Sequence, residues 1–333
     1  MHAPLIQPLQ TIATPTLWAW TLVGVLVLFA VDFVITRRPH EVGVREAVGW
    51  SAFYIALPLA FGAWLWLRFG GDTGLAYLSG YVVEKSLSVD NLFVFMLLLT
   101  GFAVPKALQQ RVLLIGVAGA LVLRAVFIAL GAVMLARFSI TFLVFGLVLL
   151  VSAGKVWRDA VRGHDEEPDA NGLAVVRMIR RVLPVTDGYR GTALMVSEHG
   201  RRVVTPLLVA VLAILAVDVL FAVDSVPAVF GITGDPYLVF ATNAFALMGL
   251  RALYFLIAGV LSKLVHLGHG MALILVFISV KLILHWAHTV WHWVPTVPTL
   301  WSLVVIVAIL ATTTATSLAA SRRSSPRAPA RVG

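Results

Sequence analysis

Apolar residues run along this chain in unbroken blocks of about 20, separated by short polar connections. A helix needs about that length to cross a hydrocarbon layer of about 30 Å. The ten-residue alternation of a membrane-spanning β-barrel is absent from the sequence. The pattern predicts nine helices, at 16–36, 45–67, 74–99, 111–136, 139–157, 204–230, 237–261, 271–289 and 299–319. The expected fold class is therefore an all-α polytopic membrane protein. The first block, Thr16 to Ile35, has no basic region before it and is long enough to span, so it reads as a membrane helix rather than a cleaved leader.

Composition agrees. The 333 residues are 60% hydrophobic and 12% charged, with 26 further Gly. Soluble domains run at about 25% charged. A soluble enzyme, a nucleic-acid-binding domain and a disordered chain are excluded, because too few polar side chains exist to cover a water-facing surface. Cysteine is absent, which removes disulfides and thiolate metal sites.

The net charge of +9 matters chiefly through its placement. Of the Lys and Arg in the connections and the C-terminal tail, eighteen fall on one side and two on the other. The positive-inside rule then puts the N-terminus outside and the C-terminus in the cytoplasm of a plasma (inner) membrane. Anionic lipid, not nucleic acid, is the expected partner of this charge. The chain divides into a two-helix segment (1–73), a three-helix unit (74–157), a cytoplasmic loop (158–203), a second three-helix unit (204–289), a last helix (290–320) and a disordered basic tail (321–333). The loop carries an acidic patch (Asp165, Glu166, Glu167, Asp169) and a basic amphipathic stretch (Arg177, Arg180, Arg181), and is a candidate protein-binding element.

Charges also occur inside the spans: Asp32, Glu84, Lys85, Asp90, Arg124, Lys155, Asp218, Asp224, Arg251 and Lys281. Each costs about 2.5–3.5 kcal/mol near the bilayer centre on insertion scales, so such residues are functional candidates facing the protein interior. They recur in order. Glu84 and Asp90 are six residues apart, as are Asp218 and Asp224; Arg124 and Arg251 follow, then Lys155 and Lys281. We read this as two three-helix repeats, spans 3–5 and 6–8, which an odd helix number inverts in the membrane. Six residues place two acids about 120° apart on a helix, so both reach one cavity only if the helix breaks or lies between two neighbours. Pro227 is the expected break, freeing the Val223 carbonyl beside Asp224. Ser86 and Ser88 are weaker candidates for loosening span three.

Glu84, Asp90, Asp218 and Asp224, with Asn91, Ser225 and the Val223 carbonyl, would make an all-oxygen site suited to Mn²⁺, Mg²⁺ or Ca²⁺. Arg124, Arg251, Lys281, Asp32 and Asn243 are the expected charge-pairing or coupling groups, and purely structural ion pairing is the rival reading. A secondary metal candidate is His285, His288 and His292, which share a helix face, although Trp286, Trp291 and Trp293 among them suit an interfacial aromatic belt.

The stretches RRPHEVGVREA (37–47), GYVVEKSLSVDNLFVF (80–95), PVTDGYRG (184–191), FAVDSVPAVFGITGDP (221–236) and ATNAFALMGLRALYFLIAG (241–259) resemble the TerC/Alx family of integral membrane proteins. The resemblance implies a transporter fold, a role in metal-ion homeostasis with Mn²⁺ efflux in the Alx-like branch, and conduction by Glu84, Asp90, Asn91, Asp218, Asp224 and Ser225. Many relatives carry a further acid where this chain has Leu215, which bears on coordination number and selectivity. Asp32 matches an acid of the family's first helix. The resulting expectation is a divalent-metal exporter driven by proton antiport, with no permanently bound cofactor and no enzymatic activity. Its rival is a membrane scaffold acting through partners in tellurite resistance or in assembly and metalation of exported proteins.

Overall fold

The computed structural model describes residues 11–35, 43–162, 184–186, 188–198, 201–257 and 266–324. Ten helices and one β-hairpin account for nearly all of them: α1 (Pro15–Ile35), α2 (Val44–Phe69), α3 (Gly71–Gly101), α4 (Lys106–Arg137), α5 (Ile140–Arg162), β1 (Met195–Glu198), β2 (Arg201–Val204), α6 (Pro206–Phe230), α7 (Pro236–Met248), α8 (Leu250–Ile257), α9 (Leu267–Val290) and α10 (Thr299–Ser324). Since α7 and α8 continue one another across Gly249, the predicted set of nine long helices is recovered among the described residues. Eight of these spans are long and apolar enough to cross a membrane. The ninth, α3, is 31 residues long and carries Glu84, Lys85 and Asp90 near its middle.

The molecule is turned inside out relative to a soluble protein. Leu67, Val151 and Trp20 are 75% or more exposed, and large apolar side chains cover the outer faces of α1, α2, α4, α5 and α10. Glu84, Arg124 and Asp218 have no exposure at all. Only a lipid surround makes both facts stable together, because lipid costs the apolar surface nothing while each unpaired polar group in it costs several kcal/mol. The chain is thus a multi-pass integral membrane protein.

Helix packing sets the interior. The most extensive seam joins α5 to α9, followed by α4 against α6, α2 against α3, and α3 against α7. Glycine makes the first seam close: a Cβ on Gly146 would lie 2.8 Å from Ile283 Cγ1 and 3.1 Å from the Ser279 carbonyl. Ser279 Oγ donates to the Gly146 carbonyl at 2.6 Å across the same contact. Small residues with such cross-helix hydrogen bonds are how membrane helices pack where burial gives no hydrophobic gain.

Three expectations need correction. Helix α6 is unbroken at Pro227 and ends three residues later, with the Gly231 N–H donating to the Pro227 carbonyl at 2.9 Å. The helix continues through Pro227, whose missing N–H still frees the Val223 carbonyl. Likewise α3 runs straight through Ser86, whose hydroxyl bonds back to the Val82 carbonyl at 2.6 Å. The interruption falls instead in the seventh span, at Gly249. The long loop also holds structure that its composition does not announce. β1 and β2 pair antiparallel, Met195 opposite Val204, and Val185 bridges to Val204. Tyr189 donates to the Phe102 carbonyl at 2.7 Å, fastening this segment to the end of α3. The acidic and basic patches at 165–181 lie outside the described residues, as do 258–261 of the predicted seventh span. The helical backbone of α10 extends to Ser324, four residues into the predicted tail, and 325–333 lie outside the description.

Replacing Gly146 by Val should overpack the α5–α9 seam at a cost of about 1–3 kcal/mol. Thermal unfolding in detergent should show a lowered midpoint for Gly146→Val and none for Gly154→Val on the same helix, where nothing lies within 4 Å.

Candidate functional site

Four helices meet at Arg124, about halfway along α4. Its Nε and Nη2 donate to both carboxylate oxygens of Asp218 on α6, at 3.3 and 3.1 Å. The two hydrogens of Nη1 are shared among Glu84 Oε1 on α3, Ser225 Oγ on α6 at 3.0 Å and Asn243 Oδ1 on α7 at 3.0 Å. The Asn243 amide in turn donates to the Val239 carbonyl at 2.9 Å, which fixes the orientation of its oxygen. All five residues are buried. A guanidinium has five N–H donors in a rigid fork, and the bidentate grip on Asp218 uses that geometry in a way lysine cannot.

The helical periodicity explains who belongs to this centre. Asp218 and Ser225 are seven residues apart, two turns of α6, and share one face. Asp224 is turned about 120° away. It accepts a 2.5 Å hydrogen bond from Ser152 on α5, with Lys155 one turn further along that helix supplying a nearby positive charge. Val223, 39% exposed, is on yet another face. Because α6 is unbroken, the second repeat presents one carboxylate to the centre and one to the α5 seam. Of the three candidate metal-site carboxylates whose side chains are described, Glu84 and Asp218 meet at the centre and Asp224 is held at Ser152 instead. Asn91 is buried on the same face of α3 as Glu84, while the side chain of Asp90 lies outside the described residues.

The remaining charges form separate ties. Arg251 on α8 pairs with Asp32 on α1 and donates to Gln110 on α4 at 3.3 Å. Lys281 on α9 donates to Ser302 on α10 at 3.0 Å. Lys85 reaches the helix interruption, donating to the Ala246 carbonyl at 3.2 Å. The approach to Gly249 is close: a Cβ there would lie 2.9 Å from Lys85 Nζ and 3.0 Å from Tyr54 Cβ, so a larger residue would have to displace the lysine tip. Ser152, Gln110 and Ser302 went unremarked in the sequence, where single uncharged polar residues carry no pattern.

The histidines do not converge. His288 Nδ1 is 2.6 Å from the Val294 carbonyl, His285 packs on Phe142, and the rings of His288 and His292 are 6.2 Å apart. Among the described residues no group of three or more acidic or histidine side chains is placed to hold a metal ion. At the centre the Arg124 guanidinium stands where a cation would otherwise meet Glu84 and Asp218. Among the described residues, the second oxygen of Glu84 is buried without a hydrogen-bond partner. With all three groups ionised the cluster carries one surplus negative charge.

Comparison with known proteins bears on what this arrangement is for. The family model described as "Integral membrane protein TerC family" matches residues 69–325. The chain belongs to the TerC family. Among relatives of this TerC protein, an uncharacterised membrane protein of Myxococcus xanthus is 40% identical over 278 residues, which is 83% of this chain and 86% of the relative. A protein of Escherichia coli strain K12 named "Putative membrane-bound redox modulator Alx" is 38% identical over 286 residues, 83% of this chain and 88% of that one. An uncharacterised membrane protein of Mycobacterium tuberculosis strain H37Rv is 41% identical over 277 residues, covering 83% and 70%. No solved structure matches the TerC chain.

Breaking the central pair by removing one partner leaves a buried charge and should cost about 3–5 kcal/mol. We expect Arg124→Met to lose most of its monodisperse yield in detergent. The triple variant Arg124→Met, Glu84→Gln, Asp218→Asn should recover much of the thermal midpoint, since no ionised group is then stranded.

Proposed function

We propose that this protein carries a divalent metal cation across the plasma membrane, with Mn²⁺ exported in exchange for protons, and that it is a transporter rather than an enzyme. The observation that carries the proposal is the meeting of Glu84 and Asp218, both fully buried halfway along their helices, on a single arginine. The desolvation cost of a buried ion pair can exceed its Coulombic gain, so stability alone is a poor reason to keep three ionised groups there. Two carboxylates balance one divalent cation. Arg124 then acts as the resident cation that a metal displaces, and carboxyl, hydroxyl and amide oxygens are donors of the hard type that Mn²⁺ takes. The same oxygens bind protons, and competition for one site gives exchange.

The packing supports the inverted-repeat reading, an architecture that many alternating-access transporters use. Exchange of α3, α4, α5 with α6, α7–α8, α9 turns the α4–α6 contact into the α7–α3 contact and the α3–α9 contact into the α6–α5 contact; the α5–α9 and α3–α6 contacts map onto themselves. All of these are present. Placing the N-terminus outside follows from the basic-residue asymmetry and belongs to this proposal.

The E. coli relative's name speaks of redox modulation. Without cysteine, this chain has no thiol chemistry of its own, so an effect of that kind would be indirect. The scaffold reading assigns the activity to the 158–203 loop, whose hairpin is fastened to α3, and to protein partners gathered there.

Proteoliposomes containing the purified protein and an Mn²⁺-sensitive dye decide between them. With a proton gradient imposed, wild type should move Mn²⁺ in the direction opposite to the proton flow, and Glu84→Gln or Asp218→Asn should slow it at least tenfold. Absence of Mn²⁺ movement by wild type, or full activity in both variants, would overturn the transport reading.

A further inference from the structure

Helix α3 carries more buried polarity than the central cluster uses. Tyr77, Tyr81, Glu84, Ser88 and Asn91 follow one another at intervals of four, three, four and three residues. That spacing keeps all five within an arc of about 80° and extends them over about 21 Å of helix, roughly two thirds of a hydrocarbon core. None is more than 4% exposed. Four of them hold a buried polar atom with no hydrogen-bond partner among the described residues: the hydroxyls of Tyr77, Tyr81 and Ser88, and Glu84 Oε2. Other serines of the same helix behave differently. Ser79 and Ser86 lie off the file and bond back to the Leu75 and Val82 carbonyls.

An unpartnered hydroxyl inside a membrane protein costs of the order of 1–3 kcal/mol, and native interiors rarely contain several in a row. Packing alone gives no reason for them, since Phe at 77 and 81 and Ala at 88 would fill the same space without the cost. The two rings are also fixed in place. Tyr77 and Tyr81 lie nearly parallel, 6.4 Å apart and 9° between planes, with Phe61 and Phe245 against the edges of Tyr77. The hydroxyls are therefore aligned by an apolar aromatic frame rather than left free to seek partners.

We propose that this face of α3 lines a hydrated access path, in which water bonded in file to Tyr77, Tyr81 and Ser88 connects the membrane surface at the start of α3 with Glu84 and the Arg124 centre. The path depends on the transport reading only for what travels along it, a hydrated cation or protons; that it admits water does not.

The chain has no cysteine, so single-cysteine variants report accessibility without a background. Tyr81→Cys, Ser88→Cys and the control Val83→Cys, which is fully buried in a different apolar cluster, would be exposed to Ag⁺ in intact vesicles. Blocked thiols are then counted by maleimide labelling after denaturation. We expect Ag⁺ to protect positions 81 and 88 at least tenfold faster than position 83. Equal protection at all three would overturn the path. If a cysteine variant fails to insert, Tyr77→Phe and Tyr81→Phe keep the ring shape. Hydrogen–deuterium exchange of the α3 backbone in these variants should fall relative to wild type, and unchanged exchange would count against the path. If the cysteine variants label as expected while wild-type vesicles move no Mn²⁺, the transport reading falls and the path stands.

Discussion

A guanidinium placed at the centre of a membrane protein must be held on every donor, and the rest of this fold is arranged around that demand. Arg124 draws α3, α6 and α7 onto α4 through Glu84, Asp218, Ser225 and Asn243. Apolar helices in lipid gain little from touching one another, so directional polar contacts and close approaches through small residues decide which helices meet. The α5–α9 seam uses the second device, with Gly146 admitting Ser279 to its backbone. The central bundle uses the first.

The two halves of the chain share a pattern but employ it unequally. Arg124 has two carboxylates and no exposure, whereas its counterpart Arg251 ties Asp32 of α1 and Gln110 of α4 to α8. One arginine thus sits at the crossing of the two units, and the other attaches the N-terminal helix to the bundle. The lysines diverge in the same way. Lys281 binds Ser302 on the last helix, while its counterpart Lys155 sets a positive charge near Asp224. Lys85, outside the repeated pattern, occupies the interruption between α7 and α8 and takes up the Ala246 carbonyl. A carbonyl four residues before Leu250 would ordinarily accept that residue's N–H, and the break at Gly249 leaves it for the lysine.

The helices were legible because each apolar block had the length of a membrane crossing, and the in-span charges were legible because charge in lipid is expensive. Their grouping was only half legible. Glu84, Asp218, Ser225, Asn243 and Arg124 do come together, but Asp224 does not, because the sequence reading let Pro227 break a helix that in fact continues to Phe230. The actual interruption, at Gly249, is met by a lysine from a different helix, a contact that no local pattern reveals. The β-hairpin escaped notice for a related reason: strands of four residues in a polar loop have too few positions to show alternation. Tyr77 and Tyr81 were overlooked although their spacing from Glu84 was visible, since aromatic residues at helical intervals ordinarily mean core.

Membership of the TerC family places the chain among integral membrane proteins, and the chemistry of its centre is what distinguishes a carrier from a scaffold within that description. The account's central claim is that Arg124 and a divalent cation compete for the same two carboxylates. An experimental structure of the protein soaked in Mn²⁺, read by the anomalous signal of the metal, tests that claim most directly. The account predicts an Mn²⁺ peak bonded to the carboxylates of Glu84 and Asp218 with the Arg124 guanidinium withdrawn. An Mn²⁺ peak elsewhere while Arg124 still bridges both carboxylates would contradict it.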